Sequence, residues 1–380
     1  MYSRMFKIPS NSTQSFFLFG PRGTGKTTWL KKNFADSLYL DLLDTGLARR
    51  LTARPEELDQ LIPPAYQNWI ILDEIQKIPA LLNEVHRLIE SKNYRFILTG
   101  SSARSLRKKG VNLLAGRAFT YNFHPLTKKE LGDQFSLQHS LCYGQLPLAY
   151  TSENPQKFLD AYLQTYLKEE ILAEGLTRNI GDFARFLEVA SFSQGNMLNI
   201  SEIARGSQIE RKTVSGYFEI LTDLLLAYQI PVFSKRAKRR LMKSNKFYFF
   251  DSGIFRALKP RGPVDSQAEL DGASLETLFL QELAALNDYL NWGYKIYYWH
   301  TSHGHEVDFV LYGPKGFFAF EIKRKQNLNT KDLSGLKVFA KDYPEAKLFL
   351  ISFQKRKEYR DDINLVPFET MLDEFEQILG

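Results

Sequence analysis

A glycine-rich segment near residue 20 has the residue types and spacing that bind the phosphates of a nucleotide. Gly20, Gly25, Lys26 and Thr27 satisfy the pattern G-x-x-x-x-G-K-T. The glycines let backbone N–H groups converge on phosphate oxygens, the lysine can reach the β- and γ-phosphates, and the threonine hydroxyl can ligate Mg²⁺. We therefore predict an ATP site in which Lys26 is also catalytic. Its predicted nucleotide-binding residues are Gly20, Pro21, Arg22, Gly23, Thr24, Gly25, Lys26, Thr27 and Thr28.

Two acids at the end of an apolar run supply the second half of such a site. The run WIIL precedes Asp73 and Glu74, and the ligands of parallel sheets bind at the carboxyl ends of the strands. We predict that Asp73 holds Mg²⁺, directly or through water, and that Glu74 orients or deprotonates the attacking water. Another apolar run, FIL, ends at Thr99, whose hydroxyl would sense the γ-phosphate. Ordinary turn chemistry of small polar residues is the alternative for Thr99.

Two arginines lie just beyond this strand and are candidates for an arginine finger. A fixed guanidinium suits the negative charge of a phosphate in its transition state. We predict this catalytic role for Arg117, within LLAGR, ahead of Arg104, with the guanidinium supplied to a neighbouring subunit of a homo-oligomer. A surface salt bridge is the alternative role for either side chain.

A second group of acids lies on a β-hairpin predicted for residues 306–323. With GPKG as a four-residue loop, Asp308 lies opposite Glu321, and the apolar residues between them face the other, buried side. Facing carboxylates repel by about 0.2–1 kcal/mol, and a divalent cation between them would remove that repulsion. Glu276, on the preceding predicted helix, is a candidate to complete the cage. The predicted metal ligands are thus Glu276, Asp308 and Glu321, in addition to Thr27 and Asp73 at the nucleotide.

Lys323 completes this second arrangement, because it lies two residues beyond Glu321 and on the same face of the strand. Its ammonium can stabilise charge that develops on a phosphate, or position the attacking water. An aspartate followed by Glu-x-Lys suits phosphodiester cleavage with Mg²⁺ or Mn²⁺, with Glu321 and Lys323 as catalytic residues. The alternative is a solvent-facing hairpin in which Glu306 and Lys323 form a surface ion pair.

Between the two sites, residues 198–250 predict a winged helix. A short helix, a turn and a longer amphipathic helix are followed by two strands joined by a basic run. Arg211 and Lys212 lie at the exposed start of the longer helix, as in a recognition helix. The run, KRAKRRLMKSNK, has seven lysines or arginines and no acid. We predict DNA contacts through residues 211–217 and 235–246; the alternatives are a solvated linker and a protein–protein module.

Composition limits the class of protein. The chain has 380 residues, which is too long for one core, and 24% of its residues are charged. Its formal net charge is +7, and it has one cysteine, so no internal disulfide is possible. No apolar run is long enough to cross a bilayer, and the first residues lack the apolar core of a signal peptide. We predict a soluble cytoplasmic protein without membrane contact.

These sites require particular elements to position them. A strand, a phosphate-binding loop, a second strand (LYLDLL), an acidic strand and a hydroxyl-ended strand, in that order, predict a doubly wound parallel sheet. The whole chain is therefore predicted to be an α/β multidomain protein. Its predicted domains are a P-loop ATPase core at 1–135, a helical lid at 136–197, a winged helix with a basic wing at 198–262, and an α/β nuclease-like domain at 263–380.

The motifs together resemble a known family. The chain is similar to prokaryotic AAA+-like P-loop ATPases that carry a C-terminal domain of unknown function, DUF4143. The resemblance rests on GPRGTGKT, WIILDEIQ, FILTGSSA, LLAGR, NFHPLTKKEL, YLQTYLKEEI and EVDFVL…FEIKRK. It implies a C-terminal α/β domain like the PD-(D/E)xK nuclease fold, with functional residues at Glu276, Asp308, Glu321 and Lys323. One departure is Gln145 in YGQLPLAY, where a second glycine is expected.

The leading functional prediction is an ATP-binding and ATP-hydrolysing, DNA-associated protein with a metal-dependent endonuclease-like C-terminal domain. Its predicted cofactors are ATP and Mg²⁺, with Mg²⁺ or Mn²⁺ at the nuclease-like site. The alternative is a nucleotide-dependent switch or scaffold whose nuclease-like domain only binds DNA or protein. A third interpretation is a winged helix that serves as an oligomerisation wedge without nucleic acid. Salt-dependent DNA binding would separate the first two from the third, because phosphate contacts weaken steeply with ionic strength.

Overall fold

The computed structural model describes most of the chain. The described residues are 2–8, 13–101, 104, 106, 114–167, 180–234, 244–260, 262 and 266–380, with the backbone alone at 115, 166 and 167. The chain divides into two compact units. The N-terminal unit comprises Ser3–Pro125 and Asp223–Leu226, and the C-terminal unit comprises Met1–Tyr2, Leu126–Thr222 and Ala227–Gly380. The division into four domains stays a prediction.

The N-terminal unit is built on a parallel sheet. Its strands are β1 (Ser15–Phe19), β2 (Leu38–Asp41), β3 (Trp69–Asp73), β4 (Arg95–Gly100) and β5 (Ala118–Asn122). Its helices are α1 (Lys26–Asn33), α2 (Thr45–Ala53), α3 (Leu58–Leu61) and α4 (Leu81–Lys92). Within the described residues the strands lie in the order β2-β3-β4-β1-β5, each parallel to its neighbours. The predicted parallel core of an α/β fold is therefore confirmed.

Strand β1 shows how the sequence buries this sheet. All of its residues, SFFLF, are buried, as expected for a parallel strand that is covered on both faces. Phe17 and Phe19 pack into one core with Leu72 of β3, whereas Phe16 packs on the other face against Tyr121, with ring centroids 5.6 Å apart. The sheet order places β4 between β1 and β3. The loop after β1 and the residues that end β3 and β4 therefore share one edge of the sheet.

The C-terminal unit contains two further sheets. Its strands are β6 (Asn196–Met197), β7 (Ala227–Ile230), β8 (Lys246–Phe249), β9 (Lys295–His300), β10 (Glu306–Gly313), β11 (Gly316–Lys323), β12 (Lys347–Ser352), β13 (Glu358–Arg360) and β14 (Ile363–Pro367). In the described part, the larger sheet has the order β13-β14-β12-β11-β10-β9 and the smaller sheet has the order β6-β8-β7. The larger sheet is mixed, because β10 is antiparallel to β9 and β11, whereas β12 is parallel to β11 and β14.

Helices connect and cover these sheets. They are α5 (Lys128–Leu131), α6 (Leu137–Tyr143), α7 (Pro147–Thr151), α8 (Pro155–Ala161), α9 (Ile180–Ser191), α10 (Ile200–Ser207), α11 (Arg211–Asp223), α12 (Ser252–Leu258), α13 (Gln267–Tyr289), α14 (Ser334–Asp342) and α15 (Phe368–Leu379). Residues 168–179 of the predicted lid and residues 235–243 of the basic run lie outside the described residues. In the part of the chain that is described, no helix combines the length and the apolar character needed to span a bilayer.

The hairpin of β10 and β11 follows the predicted register. The pairing holds as far as Phe309 with Phe320, but the loop is shorter than predicted, because Gly313 already pairs with Gly316. A Cβ on Gly313 would lie 2.9 Å from a backbone carbonyl oxygen, so the strand end has no room for a side chain there. Extended by one residue from the pair of Phe309 with Phe320, the same register places Asp308 opposite Glu321.

Both faces of this hairpin are covered, which corrects the prediction of a single buried face. Phe309 and Phe320 pack against Phe279 of α13, with ring centroids 5.5 and 5.4 Å from it. Val310, which follows Phe309, and Ala319, which precedes Phe320, belong to a second core that is shared with α14. Asp308 and Glu321 are consequently only 5% and 6% exposed. The alternative of a solvent-facing hairpin is therefore wrong.

Candidate functional site

The phosphate-binding loop lies between β1 and α1, and three of its positions require glycine. Gly23 and Gly25 have φ angles of 83° and 94°, in the left-handed region that favours glycine. A Cβ at Gly20 would lie 2.2 Å from the carbonyl oxygen of Phe123. The loop then passes directly into α1, whose N-terminal end favours a bound anion.

Other predicted loop residues hold its shape or face solvent. The hydroxyl of Thr24 donates a hydrogen bond to the carbonyl oxygen of Pro21 at 2.8 Å, and Arg4 donates to the carbonyl oxygen of Thr24 at 2.8 Å. Arg22 is half-exposed, and Thr28 is exposed at the start of α1. These contacts make Thr24 and Pro21 part of the frame of the loop.

Lys26 is buried and folds back over the loop. Its ammonium donates hydrogen bonds to the carbonyl oxygens of Gly20 at 2.6 Å and Pro21 at 3.2 Å. A bound phosphate would offer negatively charged oxygens in place of these neutral carbonyls, and the ammonium is attracted more strongly to an oxygen that carries charge. The ammonium is thus already positioned beside the loop.

Asp73, at the end of β3, gathers hydroxyl groups from three elements. Its Oδ2 accepts a hydrogen bond from the hydroxyl of Thr27 at 3.2 Å and another from the hydroxyl of Tyr39 on β2. Its Oδ1 accepts a hydrogen bond from the hydroxyl of Thr99 at the end of β4. The structure therefore brings together the predicted residues Thr27, Asp73 and Thr99. The contact of Tyr39 was not predicted; burial, together with the Asp73 carboxylate, raises the pKa of the Tyr39 phenol far above its ordinary value.

Glu74 follows in a strained turn. Its φ angle is 63°, in the left-handed region, which costs a residue other than glycine about 1–2 kcal/mol. Its backbone N–H donates to the hydroxyl of Thr99 at 3.3 Å, and its carboxylate accepts a hydrogen bond from the side-chain amide of Gln76. Gln76 was not predicted as a site residue, and its position two residues after Glu74 in DEIQ is the only sequence signal for it. Backbone strain of this kind is common at functional sites.

The two candidate arginine fingers both form ion pairs within the N-terminal unit. Arg117 pairs with Glu90, and the two side chains are 38% and 54% exposed. Arg104 pairs with Asp223, and its side chain is only 10% exposed. The pair of Arg117 matches the alternative of a surface salt bridge. A catalytic role of either arginine in a neighbouring subunit stays a prediction.

The acids predicted in the C-terminal unit meet where α13, β8 and β10 come together. The ammonium of Lys246, on β8, lies 2.6 Å from Oε1 of Glu306, 3.0 Å from Oδ1 of Asp308 and 3.4 Å from Oε2 of Glu276. The prediction that Lys246 contacts DNA is wrong, because its side chain is only 3% exposed. The alternative of a surface ion pair between Glu306 and Lys323 is also wrong, because Glu306 pairs with Lys246 and Lys323 pairs with Glu321.

Glu321 and Lys323 form a separate close pair at this site. The ammonium of Lys323 lies 2.5 Å from Oε1 of Glu321. The other oxygen of Glu321, Oε2, is buried and accepts no hydrogen bond from the described residues. The second oxygen of Asp308 accepts a hydrogen bond from the backbone N–H of Ile322 at 2.8 Å. The four predicted residues of the nuclease-like site therefore lie around one cluster, together with two that were not predicted for it.

Burial and neighbouring charges set the ionisation of this cluster. Burial raises the pKa of Glu276 to about 7 and that of Glu321 to about 8, and repulsion from Asp308 adds to both shifts. Burial opposes the charge of Lys246, but the surrounding carboxylates outweigh it and raise the pKa of Lys246. Burial alone would raise the pKa of Asp308, but Lys246 and Lys323 hold it below its ordinary value. Two ammonium groups thus face the ionised Asp308 and two glutamates, Glu276 and Glu321, whose pKa values are raised to about 7 and about 8.

A divalent cation fits the N-terminal site better than the C-terminal cluster. Thr27 and Asp73 offer a hydroxyl and a carboxylate beside the phosphate-binding loop, and Mg²⁺ commonly binds through one or two such groups together with phosphates and water. In the described part of the chain, no group of three or more histidine, cysteine, aspartate or glutamate side chains is arranged to hold a metal ion. At the cluster, the Lys246 ammonium contacts the oxygens that a cation would need. The residues there do not fit a metal while Lys246 is in place.

Gln145 has a structural reason for replacing the expected glycine. It is fully buried, and its side-chain amide donates to Oε1 of Glu282 at 3.0 Å while its carbonyl accepts from Gln281 at 2.7 Å. Its backbone N–H donates to Oδ2 of Asp251 at 2.8 Å, and Asp251 caps α12. The glutamine therefore satisfies polar groups inside the C-terminal unit that a glycine would leave without these partners.

The predicted recognition helix is exposed only in part. Arg211 and Lys212 are exposed at the start of α11. Val214 and Tyr217 are only 0% and 4% exposed, so they contribute to the core and not to a surface. The predicted DNA-contacting segment 211–217 therefore presents its two cationic residues to solvent.

Three successive segments of the chain each match a known protein family. Residues 12–132 match a family described as an AAA domain, and residues 271–371 match a domain of unknown function, DUF4143. Residues 134–265 match another domain of unknown function, DUF8612. The first two matches confirm the AAA and DUF4143 parts of the predicted resemblance. The PD-(D/E)xK nature of the C-terminal region stays a prediction.

The relatives and solved structures described next do not indicate an activity for the chain. It is 27% identical over 319 residues to the uncharacterized protein Rv2008c of Mycobacterium tuberculosis, covering 81% of this chain and 69% of the relative. It is 24% identical over 331 residues to the uncharacterized protein MJ1544 of Methanocaldococcus jannaschii, covering 78% and 71%. The Orc1 protein of Aeropyrum pernix in complex with DNA overlaps 66% of this chain and 87% of its own at 14% identity, with a TM-score of 0.25. Protein VC1899 of Vibrio cholerae overlaps 91% and 97% at 12% identity, with a TM-score of 0.24.

Proposed function

We propose that the N-terminal unit binds ATP with Mg²⁺ and hydrolyses it. The contact between Thr27 and Asp73, beside the glycine loop and at the carboxyl edge of a parallel sheet, carries this proposal. It joins the two residue types that hold Mg²⁺ to the segment that binds phosphate. The match of residues 12–132 to an AAA domain supports the same activity.

Each residue has a distinct task in this proposal. When bound, Mg²⁺ supplies positive charge that neutralises the phosphates, and Thr27 and Asp73 are the residues that would hold it. Lys26 exchanges its two carbonyl contacts for phosphate oxygens. Glu74 orients or deprotonates the attacking water, and Gln76 holds the Glu74 carboxylate in place through its side-chain amide. Thr99 fixes Asp73 from the neighbouring strand.

Binding of ATP to lysine variants tests the nucleotide site. We expect Lys26→Ala to weaken ATP binding by about a hundredfold, because the variant loses charge-assisted contacts to the phosphates. Lys31→Ala is the matched control, since this lysine lies in the same helix and is exposed. A Lys26→Ala variant that binds ATP as tightly as the wild type would overturn the proposed site.

We further propose that residues 198–250 form a winged helix that contacts DNA. The elements α10, α11, β7 and β8 follow one another in the predicted order, and β7 and β8 form one small sheet with β6. The exposed cations Arg211 and Lys212 lie at the N-terminal end of α11, where a recognition helix meets a groove. The basic run between β7 and β8 would add phosphate contacts.

For the C-terminal cluster, the structure favours the switch or scaffold over the nuclease. The proximity of Asp308, Glu321 and Lys323 supports the predicted cleavage site. The ammonium of Lys246 among the same acids opposes it, because cleavage by this array requires a divalent cation. We therefore propose a nucleotide-dependent, DNA-associated protein whose C-terminal domain does not cleave DNA while Lys246 lies in the cluster.

Incubation of plasmid and linear DNA with the protein tests this choice. Mg²⁺ or Mn²⁺ is supplied, with and without ATP, beside a Glu321→Ala variant. We expect bound but intact DNA in every lane. Nicking by the wild type that is lost in Glu321→Ala would contradict the scaffold and establish the predicted nuclease.

A further inference from the structure

A lysine from the smaller sheet enters the acid cluster of the larger sheet. Lys246 is the first residue of β8, whereas the acids it contacts lie on α13 and β10. Its three contacts with Glu306, Asp308 and Glu276 are 2.6, 3.0 and 3.4 Å long. An ammonium has three N–H donors, so these contacts can use all of them. The ammonium is therefore fully committed to carboxylate oxygens.

A divalent cation could not share this position with the ammonium. Mg²⁺ binds its oxygen ligands at about 2.0–2.1 Å and Ca²⁺ at about 2.3–2.6 Å, so either ion would need the oxygens that now face Lys246. Both species are positive, and burial strengthens their repulsion. Occupancy by the ammonium and by a metal ion is thus mutually exclusive.

One buried oxygen of the cluster has no hydrogen-bond partner among the described residues. Oε2 of Glu321 is buried and accepts no hydrogen bond from any described residue, although the residue is only 6% exposed. A buried carboxyl oxygen without a partner is unfavourable, and a bound cation is one way to satisfy it. The cluster as a whole sets four acids against the ammonium groups of Lys246 and Lys323.

We propose that the Lys246 ammonium holds the place of a divalent cation in this cluster, and that a metal ion binds Glu276, Asp308 and Glu321 only when that side chain is absent or withdrawn. Lys246 then acts as an internal cation that keeps metal ions out of the cluster. Exclusion of metal by Lys246 does not depend on ATP hydrolysis in the N-terminal unit, so a chain that hydrolyses no ATP should exclude metal in the same way.

Binding of Mn²⁺, followed by electron paramagnetic resonance, tests the proposal on the full nucleotide-free chain. Asp73→Asn is present in every arm, so that the N-terminal site does not contribute. We expect Lys246→Met to bind one Mn²⁺ about tenfold or more tightly than the Lys246 protein, and added Glu321→Gln to reverse that gain. Lys295→Met is the matched control, because Lys295 is exposed on β9 of the larger sheet. It is expected to bind Mn²⁺ no better than its parent.

Either of two results would overturn the proposal. One is a folded Lys246→Met variant that gains no Mn²⁺ affinity. The other needs no lysine variant: Mn²⁺ that binds the Lys246 protein tightly and is lost on Glu321→Gln would show that metal and ammonium coexist. Melting curves with and without Mn²⁺ identify which arms are folded.

Discussion

The hydroxyl of Thr99 donates a hydrogen bond to Oδ1 of Asp73, across the neighbouring strands β4 and β3. Both side chains are buried, at 0% and 5% exposed. The same hydroxyl accepts a hydrogen bond from the backbone N–H of Glu74 at 3.3 Å. One threonine therefore orients the carboxylate that we propose holds Mg²⁺ and the turn that carries the proposed water-activating glutamate.

This contact predicts the effect of Thr99→Val, which keeps the branched shape of the side chain and removes the hydroxyl. We expect ATP hydrolysis to slow about tenfold while ATP affinity changes by less than about threefold, because Thr99 acts by positioning Asp73. Phosphate release and ATP titration measure the two quantities. Thr120→Val, at an exposed position on β5, is the control. A loss of affinity as large as the loss of rate would contradict the positioning role.

The start of α11 predicts how DNA binding depends on salt. Replacing both Arg211 and Lys212 with alanine should lower the slope of log affinity against log salt by about 2, since each lost phosphate contact removes about 0.9. Fluorescence anisotropy with duplex DNA at several salt concentrations measures the slope. Lys157→Ala, at an exposed position on α8, should leave it unchanged. If the wild type shows no salt-dependent binding of DNA, the result would favour the alternative in which the winged helix serves only for oligomerisation.

A shared aspartate predicts very different costs for two arginines. Asp271 on α13 pairs with Arg256 at 2.6 Å and with Arg324 at 2.8 Å, but the arginine side chains are 4% and 40% exposed. Arg256→Ala should lower the free energy of unfolding by about 3 kcal/mol, because it leaves a buried carboxylate with one cation fewer. Arg324→Ala should lower it by at most about 1 kcal/mol. Urea unfolding of both variants measures the two losses of stability. Equal losses would show that the burial of the arginine does not determine how much its ion pair with Asp271 contributes.

The buried carboxyl of Glu282 predicts a loss of stability at alkaline pH. Burial raises its pKa to about 8, although Gln145 and the backbone N–H of Lys128 donate hydrogen bonds to it. The folded chain then binds this proton more tightly than the unfolded chain, so its contribution is complete at acid pH and is lost as pH rises through about 8. Between pH 6 and 9 the wild type should lose about 3 kcal/mol more than Glu282→Gln, which carries a neutral amide.

Unfolding free energies at the two pH values measure that difference. Glu345→Gln, at an exposed position, should behave as the wild type does. Identical pH dependence of the wild type and Glu282→Gln would show that Glu282 is ionised in the folded protein throughout this range.

The nucleotide site could be predicted from sequence because its parts are local. The motif from Gly20 to Thr27 is contiguous, and Asp73 ends an apolar strand, so each half is visible without knowledge of the other. In the parallel sheet only β4 separates β1 from β3, so the phosphate-binding loop and Asp73 lie at the same edge of the sheet. Tyr39 and Gln76 were missed, because their contacts depend on which strands are neighbours and on the turn after Asp73.

The C-terminal cluster could be predicted only in part. The hairpin register gave Asp308 and Glu321, since alternation along two strands fixes which residues face each other. Lys246 lies 62 positions before Asp308, and in the sequence it belongs to a basic run that is typical of a surface. Its burial follows from the packing of two sheets, which no local pattern encodes. Helices α13 and α14 cover the two faces of the hairpin, and Glu306 pairs with Lys246, so the alternative of a surface ion pair with Lys323 does not hold.

The most direct test of the proposed ATPase is phosphate release by the wild type and by Glu74→Gln, with ATP binding measured on the same samples. We expect the wild type to hydrolyse ATP with Mg²⁺. Glu74→Gln should bind ATP within about threefold of the wild type but release phosphate about a hundredfold more slowly, because it loses the carboxylate that activates water. Glu56→Gln, an exposed glutamate of the same unit, should match the wild type. No phosphate release by the wild type, or equal release by Glu74→Gln, would contradict the proposed hydrolysis.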